Sequence, residues 1–249
     1  MATLVIALSL LLGGLSLLGF GLALAFGPIQ VLALGFSPPN ALVWDGALCL
    51  VFFVQHSVMV RRGFQARLAS LVPRPYHPAL YSIASGVALL VLLLLWQDTG
   101  ITVYVVEGIP RVALRGLFLV AGFVFLWAIR ALGSFDTFGV RPLRAHSRGA
   151  TESPGLPLAI RGPYRYVRHP LYSLFLVLLW AAPDVTAERL LFNGLFTAWI
   201  VVGTRLEERD LVSQFGDDYR EYQKQVPMLI PWPGTVLGSG HGDHPGSRD

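Results

Sequence analysis

The sequence predicts an all-α integral membrane protein with about five to six transmembrane segments, of which the last two form a helical hairpin. Hydrophobic residues make up 54% of the 249-residue chain and charged residues only 14%, whereas a soluble domain carries about 25% charged residues. Several apolar runs are also long enough to cross a bilayer, which takes roughly 20 helical residues. Both observations indicate a chain embedded in a membrane.

Four apolar runs predict the first transmembrane helices, at about 4–26, 41–60, 79–97 and 112–132. Each approaches the length of a full span. The first run has no basic leader and no clear small-residue cleavage site, so we expect a retained span rather than a removed signal peptide. We assign these helices to an N-terminal region, 1–132.

The remaining apolar sequence is divided by a turn into two arms. The arms, at about 171–182 and 188–204, are separated by proline and acidic residues and predict a helical hairpin. Because the first arm is short, it either tilts steeply or does not cross the membrane completely. We assign 133–232 to a C-terminal region that carries the candidate site. The final stretch, 233–249, is rich in Gly, Pro and Ser and predicts a disordered tail.

The placement of arginines predicts the orientation of the chain. Arginines are concentrated in loops 61–78 and 130–170, whereas loops 98–111 and 183–188 carry mainly acidic residues. Because Lys and Arg favour the cytosolic side, we expect the arginine-rich loops and both termini in the cytosol. The same placement explains the net charge of +4 without a nucleic-acid partner.

Several classes of site are excluded by what the sequence lacks. The single cysteine, Cys49, lies in an apolar run, so no intramolecular disulfide and no Cys-rich metal site can form. The chain has no GxGxxG motif after a strand, no Walker motif, no GxSxG and no metal-spaced His/Cys set. We therefore predict no metal, and we expect the membrane helices and their cytosolic loops to hold any cofactor.

Polar side chains beside apolar spans are the best functional candidates, because polar groups at membrane depth are costly. Residues 161–176, RGPYRYVRHPLYSLFL, pass from arginines and prolines directly into an apolar run. His169 and Tyr172 are three residues apart, so they share one helix face. A histidine adds little to headgroup anchoring, and we expect this pair to contact a ligand. Arg161 and Arg165 are equally consistent with anchoring to lipid.

A second polar group, TRLEERDL at 204–211, follows the other arm of the hairpin. Folding of the hairpin brings Glu207 and Glu208 back beside Arg168 and His169. Such a pocket has apolar walls and carboxylates that can accept hydrogen bonds from a polar ligand. The hairpin mouth is therefore the predicted site.

These residues resemble the C-terminal signature of the isoprenylcysteine carboxyl methyltransferase superfamily. The shared pattern is Gly162-x-Tyr164, Arg168-His169-Pro170-x-Tyr172, two apolar arms around a turn, Glu207-Glu208 and the closing stretch FGDDYREYQKQVPMLIP. Within the superfamily, FFVQHSVMVRRGFQ and GSFDTFGVRPL are most similar to the bacterial thiol S-methyltransferases that convert methanethiol to dimethyl sulfide. This likeness extends over most of residues 41–231 and implies a bacterial inner-membrane enzyme.

The resemblance implies S-adenosylmethionine as methyl donor, bound at the cytosolic mouth of the hairpin, and a small thiol or lipid-like acceptor. It places Arg205 and Glu208 on the substrate side. One position departs from the family, because Leu174 stands where glycine is common. The residues expected to line the cofactor site, with Arg168 added from the folded hairpin, are Leu156, Pro157, Leu158, Ala159, Tyr164, His169, Pro170, Leu171, Tyr172 and Glu207.

Methyl transfer to a thiol requires alignment and a proton acceptor. Attack of a thiolate on a sulfonium methyl removes two charges, which an apolar pocket favours. The protein must also hold the two sulfurs and the methyl group in line. His56, His169 or a bound water are the candidates for accepting the thiol proton. For His56, which ends the second span beside Gln55, a packing role is equally consistent.

Three other functions are compatible with the sequence. A related methyltransferase would act on a prenylcysteine carboxylate or a lipid amine, and a long lipid acceptor would need a groove that opens sideways between spans. Membrane sterol reductases share a similar Arg-His-Pro-x-Tyr ending and use NADPH, but they usually carry asparagine at the position of Leu171. A non-catalytic membrane partner in a redox or denitrification pathway is the third, and it predicts that His169 and Glu207 are dispensable.

Overall fold

Four long helices form where the sequence has its four apolar runs. The computed structural model describes residues 1–132, 136–149, 158 and 160–232. Within these residues, four helices are long and apolar enough to cross a membrane. They are α1 (Ala2–Phe26), α2 (Pro38–Met59), α4 (His77–Leu95, entered through a 3-10 turn at Arg74–Tyr76) and α5 (Gly108–Leu132). The prediction of a mostly helical chain with several candidate membrane spans is confirmed, whereas the count of five to six transmembrane segments stays a prediction.

Shorter elements connect and complete these spans. A short helix, α3 (Arg62–Ala69), follows α2, and α6 (Val140–Ser147) follows α5. A 3-10 turn at Gly162–Arg165 leads into the C-terminal elements, which are α7 (Pro170–Trp180), α8 (Ala187–Phe215) and α9 (Asp217–Gln225). Two strands, β1 (Thr102–Val105) and β2 (Asp184–Thr186), precede α5 and α8.

Prolines mark where several helices begin. Pro38 opens α2, Pro78 lies in the first turn of α4 and Pro170 opens α7. The first turn of a helix has backbone N–H groups without intrahelical partners, so the N–H group that proline lacks is not missed there. At the C-terminal end of α8, Gly216 adopts a positive φ of 59° and separates α8 from α9. Gly216 lets the chain turn sharply after the charged end of α8.

The two loops on the acidic side form a short sheet instead of remaining irregular. β1 and β2 pair in antiparallel fashion, with Thr102 opposite Thr186 and Val105 opposite Asp184. An all-α chain was predicted, and this sheet corrects that prediction. The strands have only four and three residues, too few for an alternating pattern to be recognised in the sequence.

α7 and α8 form the predicted hairpin, but its arms are unequal. α7 has 11 residues and therefore rises only about 16 Å, roughly half the hydrocarbon thickness of a bilayer. α8 has 29 residues and extends about 43 Å. Its charged C-terminal turns thus pass beside the start of α7, where the sequence predicted a pocket.

The helices surround an aromatic core. Phe192 and Phe196 of α8 stack with ring centroids 4.1 Å apart, and Trp199 stacks on Phe53 of α2 at 4.7 Å. α1 packs so closely on α4 that a Cβ atom added at Gly86 would lie only 2.9 Å from the backbone of Leu12. This packing holds α2 against the first half of α8 and α1 against α4.

The bundle has two ends, a site end and a hairpin-turn end, which contain different elements. The site end contains the end of α2, the starts of α4 and α7, the ends of α5 and α8, and α9; the hairpin-turn end contains β1, β2 and the start of α8. The predicted disordered tail, 233–249, lies outside the described residues. The division into regions 1–132 and 133–232 remains a prediction.

Candidate active site at the mouth of the hairpin

Arg168 and Glu208 form a buried ion pair between the start of α7 and the end of α8. The Nε and Nη2 atoms of Arg168 donate to Oε1 and Oε2 of Glu208 at 2.6 and 2.9 Å. The two side chains are only 9% and 13% exposed. Nη1 of Arg168 donates to the carbonyls of Gln223 and Val226. The guanidinium therefore joins α8 to α9 and to the chain that follows it.

Glu208 has further hydrogen-bond partners on both oxygens. Oε1 lies 3.1 Å from Nε2 of His169 and accepts from the Tyr219 hydroxyl at 3.3 Å, and Oε2 accepts from Gln223 at 2.9 Å. Burial alone would raise the pKa of Glu208, but hydrogen bonds from His169, Arg168 and Gln223 outweigh it and lower the pKa to about 2. The carboxylate is thus ionised, and protein donors occupy both of its oxygens.

The stretch after α9 lies alongside the start of α7. The backbone N–H of Arg168 donates to the carbonyl of Pro227 at 2.9 Å, and that of His169 donates to Met228 at 3.1 Å. The Ser173 hydroxyl donates to the carbonyl of Leu229 at 2.6 Å. These bonds satisfy N–H groups at the start of α7 that have no intrahelical partner.

Glu207 differs from its neighbour, because its carboxylate faces a cavity. Its side chain is 44% exposed, and its Oε2 lies 3.9 Å from Nδ1 of His169. The His169 and Tyr172 rings stack with centroids 5.7 Å apart, as expected for residues on one helix face. His169 therefore stands between two carboxylates, one held by protein donors and one turned towards open space.

Two cavities meet at Glu207, and the larger cavity has a volume of about 700 Å³. This volume is within the range usual for small-molecule sites. Of the residues predicted for the cofactor, seven line the larger cavity: Leu158, Tyr164, Arg168, His169, Leu171, Tyr172 and Glu207. The other lining residues come from α5, α7, α8 and α9: Phe125, Leu132, Phe175, Trp199, Ile200, Leu211, Gln214, Phe215, Tyr219 and Tyr222.

The remaining predicted cofactor contacts do not face this cavity or cannot be placed. Leu156, Pro157 and Ala159 lie outside the described residues. Pro170 instead lines an apolar groove of about 740 Å³ between α5 and α7, as does Leu174. As far as the described residues define them, the groove and the larger cavity have no lining residue in common. The residue that replaces the family glycine therefore contacts the groove.

Tyrosine hydroxyls supply neutral polar groups to the larger cavity. Burial, and then the charge of Glu207, raise the pKa of Tyr164. Burial raises the pKa of Tyr219 and Tyr222 as well. All three hydroxyls thus remain protonated at neutral pH. Tyr222 donates its proton to the carbonyl of Tyr164, which joins α9 to the 3-10 turn before α7.

A smaller cavity of about 360 Å³ lies between α2, α4, α7 and α8. It shares four lining residues with the larger cavity, namely Tyr172, Trp199, Ile200 and Glu207. Its other lining residues are His56, Ser57, Val60, Arg61, Tyr81, Gly203, Leu206 and Asp210. The two cavities therefore have a common wall.

His56 belongs to this smaller cavity. Its Nε2 lies 2.5 Å from the Tyr81 hydroxyl, and its ring meets Trp199 edge-on at a centroid distance of 5.1 Å. Trp199 in turn donates from Nε1 to the Ser57 hydroxyl at 3.1 Å. The imidazole is thus fixed by α4 and α8 while remaining on the cavity surface.

Two further predicted residues stand apart from the cavities. Arg205 is exposed on α8, and Glu208 is enclosed by its ion pair. Neither cavity, as far as the described residues define it, includes either side chain. The catalytic roles of His56, Arg205 and Glu208 stay predictions.

Sequence reasoning missed several residues that line the cavities. Tyr81 and Trp199 lie inside apolar runs, where nothing local distinguishes a cavity residue from one that packs in the core. In the sequence, the paired tyrosines of the closing stretch, Tyr219 and Tyr222, stand out only as part of the family pattern. Both are almost fully buried, and their spacing of three residues on α9 is the signal that could have indicated a common face.

Comparisons with known proteins cover most of the chain. The family described as NnrU protein matches residues 46–238. The methanethiol S-methyltransferase of Pseudomonas deceptionensis is 40% identical over 200 residues, which cover 79% of this chain and 75% of that protein. The methanethiol S-methyltransferase of Mycobacterium tuberculosis is 37% identical over 197 residues, covering 78% and 80%.

A more distant similarity is to Nurim of Mus musculus, 27% identical over 186 residues that cover 69% of this chain and 68% of that protein. No solved structure matches the chain. The segment that matches the NnrU protein family, residues 46–238, contains the hairpin, α9 and the cavity-lining residues of α2 and α4.

Proposed function

Since the chain belongs to the NnrU family and is a membrane methyltransferase, we propose that it transfers the methyl group of S-adenosylmethionine to a small thiol such as methanethiol. The names of the bacterial relatives support the acceptor. The observation that carries the proposal is the pair of cavities that meet at Tyr172, Trp199, Ile200 and Glu207. A two-substrate transfer needs two sites whose occupants can touch.

The larger cavity fits the methyl donor. S-adenosylmethionine supplies a methyl group bonded to a cationic sulfur, and its transfer to a thiolate leaves two neutral thioethers. Glu207 offers a carboxylate to a cationic group, and the faces of Tyr172 and Trp199 offer cation–π contact. The apolar side chains of α5 and α8 can enclose the uncharged part of the donor.

The ion pair of Glu208 acts on this site by positioning it. With both oxygens occupied, Glu208 holds the His169 ring and, through Arg168, the chain after α9. His169 is thereby fixed with its Nδ1 towards Glu207. Arg205 stays a proposed contact of the acceptor as it enters from the solvent.

His56 is the proposed acceptor of the thiol proton. It is the histidine on the surface of the smaller cavity, whereas Nε2 of His169 faces the ionised Glu208 and must carry a proton there. His56 takes the S–H proton as the new carbon–sulfur bond forms on the acceptor. The proton then leaves towards the solvent at the cavity mouth.

A long lipid acceptor is less well supported. The apolar groove that would suit an acyl or prenyl chain lies between α5 and α7, and its lining residues include Pro170, Ser173 and Val177. The larger cavity instead uses Leu171, Tyr172 and Phe175 of the same helix. α7 therefore stands between a chain in the groove and the proposed methyl donor.

The location follows from the charge of the site end. The loops that contain Arg61, Arg67, Arg144 and Arg148 lie at the same end as both cavities. We propose that this end faces the cytosol of a bacterium, with the chain in the inner membrane and both termini cytosolic.

The proposal is tested by measuring binding and transfer with protein purified in detergent. Calorimetry should detect binding of S-adenosylmethionine to the wild type, and His169→Ala should weaken it at least tenfold. The control is His146→Ala, which removes an exposed histidine from α6.

Transfer of a labelled methyl group is then compared for methanethiol, a prenylcysteine analogue and a lipid amine. We expect product from methanethiol. Absence of donor binding would refute the methyltransferase chemistry at this site, and transfer to the prenylcysteine or the amine alone would refute the thiol.

A further inference from the structure

The smaller cavity has walls of its own in addition to the wall it shares with the larger one. The residues that line the smaller cavity but not the larger one include His56 and Ser57 of α2, Val60 just after α2, Tyr81 of α4 and Gly203 of α8. The four shared residues form its side towards the proposed methyl donor. A molecule in the smaller cavity would therefore meet the donor from the side of α2 and α4.

Apart from Glu207 on the shared wall, the charged side chains that line this cavity lie at its mouth. Arg61 and Asp210 form a half-exposed ion pair at 3.7 Å across the mouth. Deeper in, the polar atoms belong to His56, Tyr81 and Ser57. Because Glu207 supplies negative charge to the shared wall, an acceptor that carries a carboxylate would be repelled there. The interior suits a small neutral molecule with one polar hydrogen.

Gly203 leaves space for that molecule. A Cβ atom added at Gly203 would have no neighbour within 4 Å, so no packing contact requires glycine at this position. A glycine inside a helix costs about 1 kcal/mol relative to alanine. What the missing side chain provides is room, because the position lines the smaller cavity.

Resting on the proposed function, we propose that the smaller cavity is the binding site of the acceptor thiol and that Gly203 sets the length of thiol it admits. A leucine at this position adds four carbon atoms. Each of these atoms takes up roughly 30 Å³, the volume that one water molecule occupies in the liquid. Together they would fill about a third of the cavity of about 360 Å³. Less room would remain for any thiol, and the longest thiol that the wild type admits would be affected most.

The test substitutes Gly203 and measures donor binding and thiol methylation separately. Gly203→Ala and Gly203→Leu are compared with Gly194→Leu, a matched control on the same helix. Gly194 also has open space around an added Cβ, but it is exposed and lines neither cavity in the described part of the chain. Straight-chain thiols of one to four carbons serve as acceptors, and the longest thiol that the wild type methylates is the diagnostic one.

We expect Gly203→Leu to lower kcat/KM for the diagnostic thiol at least tenfold more than for methanethiol, with Gly203→Ala between it and the wild type. If methanethiol is itself the diagnostic thiol, its KM should rise at least tenfold in Gly203→Leu. The Kd of S-adenosylmethionine should stay within twofold in all three variants, and Gly194→Leu should match the wild type.

An unchanged length profile in Gly203→Leu would overturn the assignment of the acceptor site. So would loss of donor binding in Gly203→Leu, because it would place the cavity in the donor site. Failure of the wild type to methylate any thiol while it binds the donor is a different result, and it would overturn the proposed function itself.

Discussion

Both ends of the bundle bury charged side chains, but they use them differently. At the hairpin-turn end, Thr99 donates to Glu188 at 2.5 Å, and Arg189 donates to the carbonyl of Leu24 at 2.5 Å. Gln97 donates to three backbone carbonyls and accepts from the N–H of Leu34 at 2.9 Å. The pocket beside Arg189 holds only about 10 Å³, no more than one water needs.

At the site end, the same kind of network leaves space beside it. Glu208 is enclosed by donors, while Glu207, one residue earlier on α8, faces both cavities. Successive helix residues point about 100° apart, so one residue can serve the fold and the next the ligand. Burial of a charge therefore does not by itself indicate function, and a charge at the wall of a cavity is the better candidate for contact with a ligand.

Removal of Glu208 should have the largest effect on stability. Glu208→Ala leaves Arg168 buried without its counter-ion, and breaking a buried pair in this way costs ~3–5 kcal/mol. We expect a large fall in the thermal unfolding temperature in detergent, together with loss of donor binding. Glu221→Ala on the exposed face of α9 is the control. Equal unfolding temperatures for the two variants would show that the pair is not what holds the site end together.

The pH dependence of unfolding is a second test of the contribution that Glu208 makes to stability. The folded-state pKa of Glu208 is lowered from 4.5 to about 2, so its contribution to stability is complete above pH 4.5 and is lost as the pH falls towards 2. The wild type should therefore lose more stability than Glu208→Gln between those values. Parallel pH profiles for the two proteins would contradict the lowered pKa.

Removal of Gln97 should destabilise the fold without affecting the ligand. Gln97→Ala deprives three carbonyls and the Leu34 N–H of their partner, which costs ~1–3 kcal/mol. The unfolding temperature should fall, and the Kd of S-adenosylmethionine should not change. Gln225→Ala, which removes an exposed amide from α9, should leave both quantities unchanged. A weakened donor affinity in Gln97→Ala would mean that the two ends are coupled.

Glu207→Gln should change stability least and donor binding most selectively. The side chain is nearly half exposed, and substitutions of this kind usually alter the free energy of unfolding by less than about 0.5 kcal/mol. Loss of a charged hydrogen-bond acceptor should weaken the binding of S-adenosylmethionine about ten- to a hundredfold, since such bonds contribute ~1.5–3 kcal/mol. Calorimetry and thermal unfolding on the same preparation check both. A stability loss as large as that of Glu208→Ala would erase the distinction between the two carboxylates.

The sequence predicted the parts of the site that lie on one hairpin. His169 and Tyr172 are close in the chain, and Glu207 and Glu208 return to them through a single turn, so their proximity follows from connectivity alone. Tyr81 and Trp199 reach the cavities only because α2, α4 and α8 pack in one particular arrangement. Apolar spans offer many similar faces, and their sequences do not determine which faces meet.

By itself, the sequence determined the four long apolar helices that the structure contains, and it predicted a polar site at the mouth of the C-terminal hairpin. Those properties depend on composition and on residues near each other in the chain. The tertiary structure decided that Glu208 is enclosed and Glu207 open, that α9 supplies donors to the ion pair, and that two cavities share a wall. These features depend on contacts between distant segments, where the rotation of a helix about its axis decides which side chain faces a cavity.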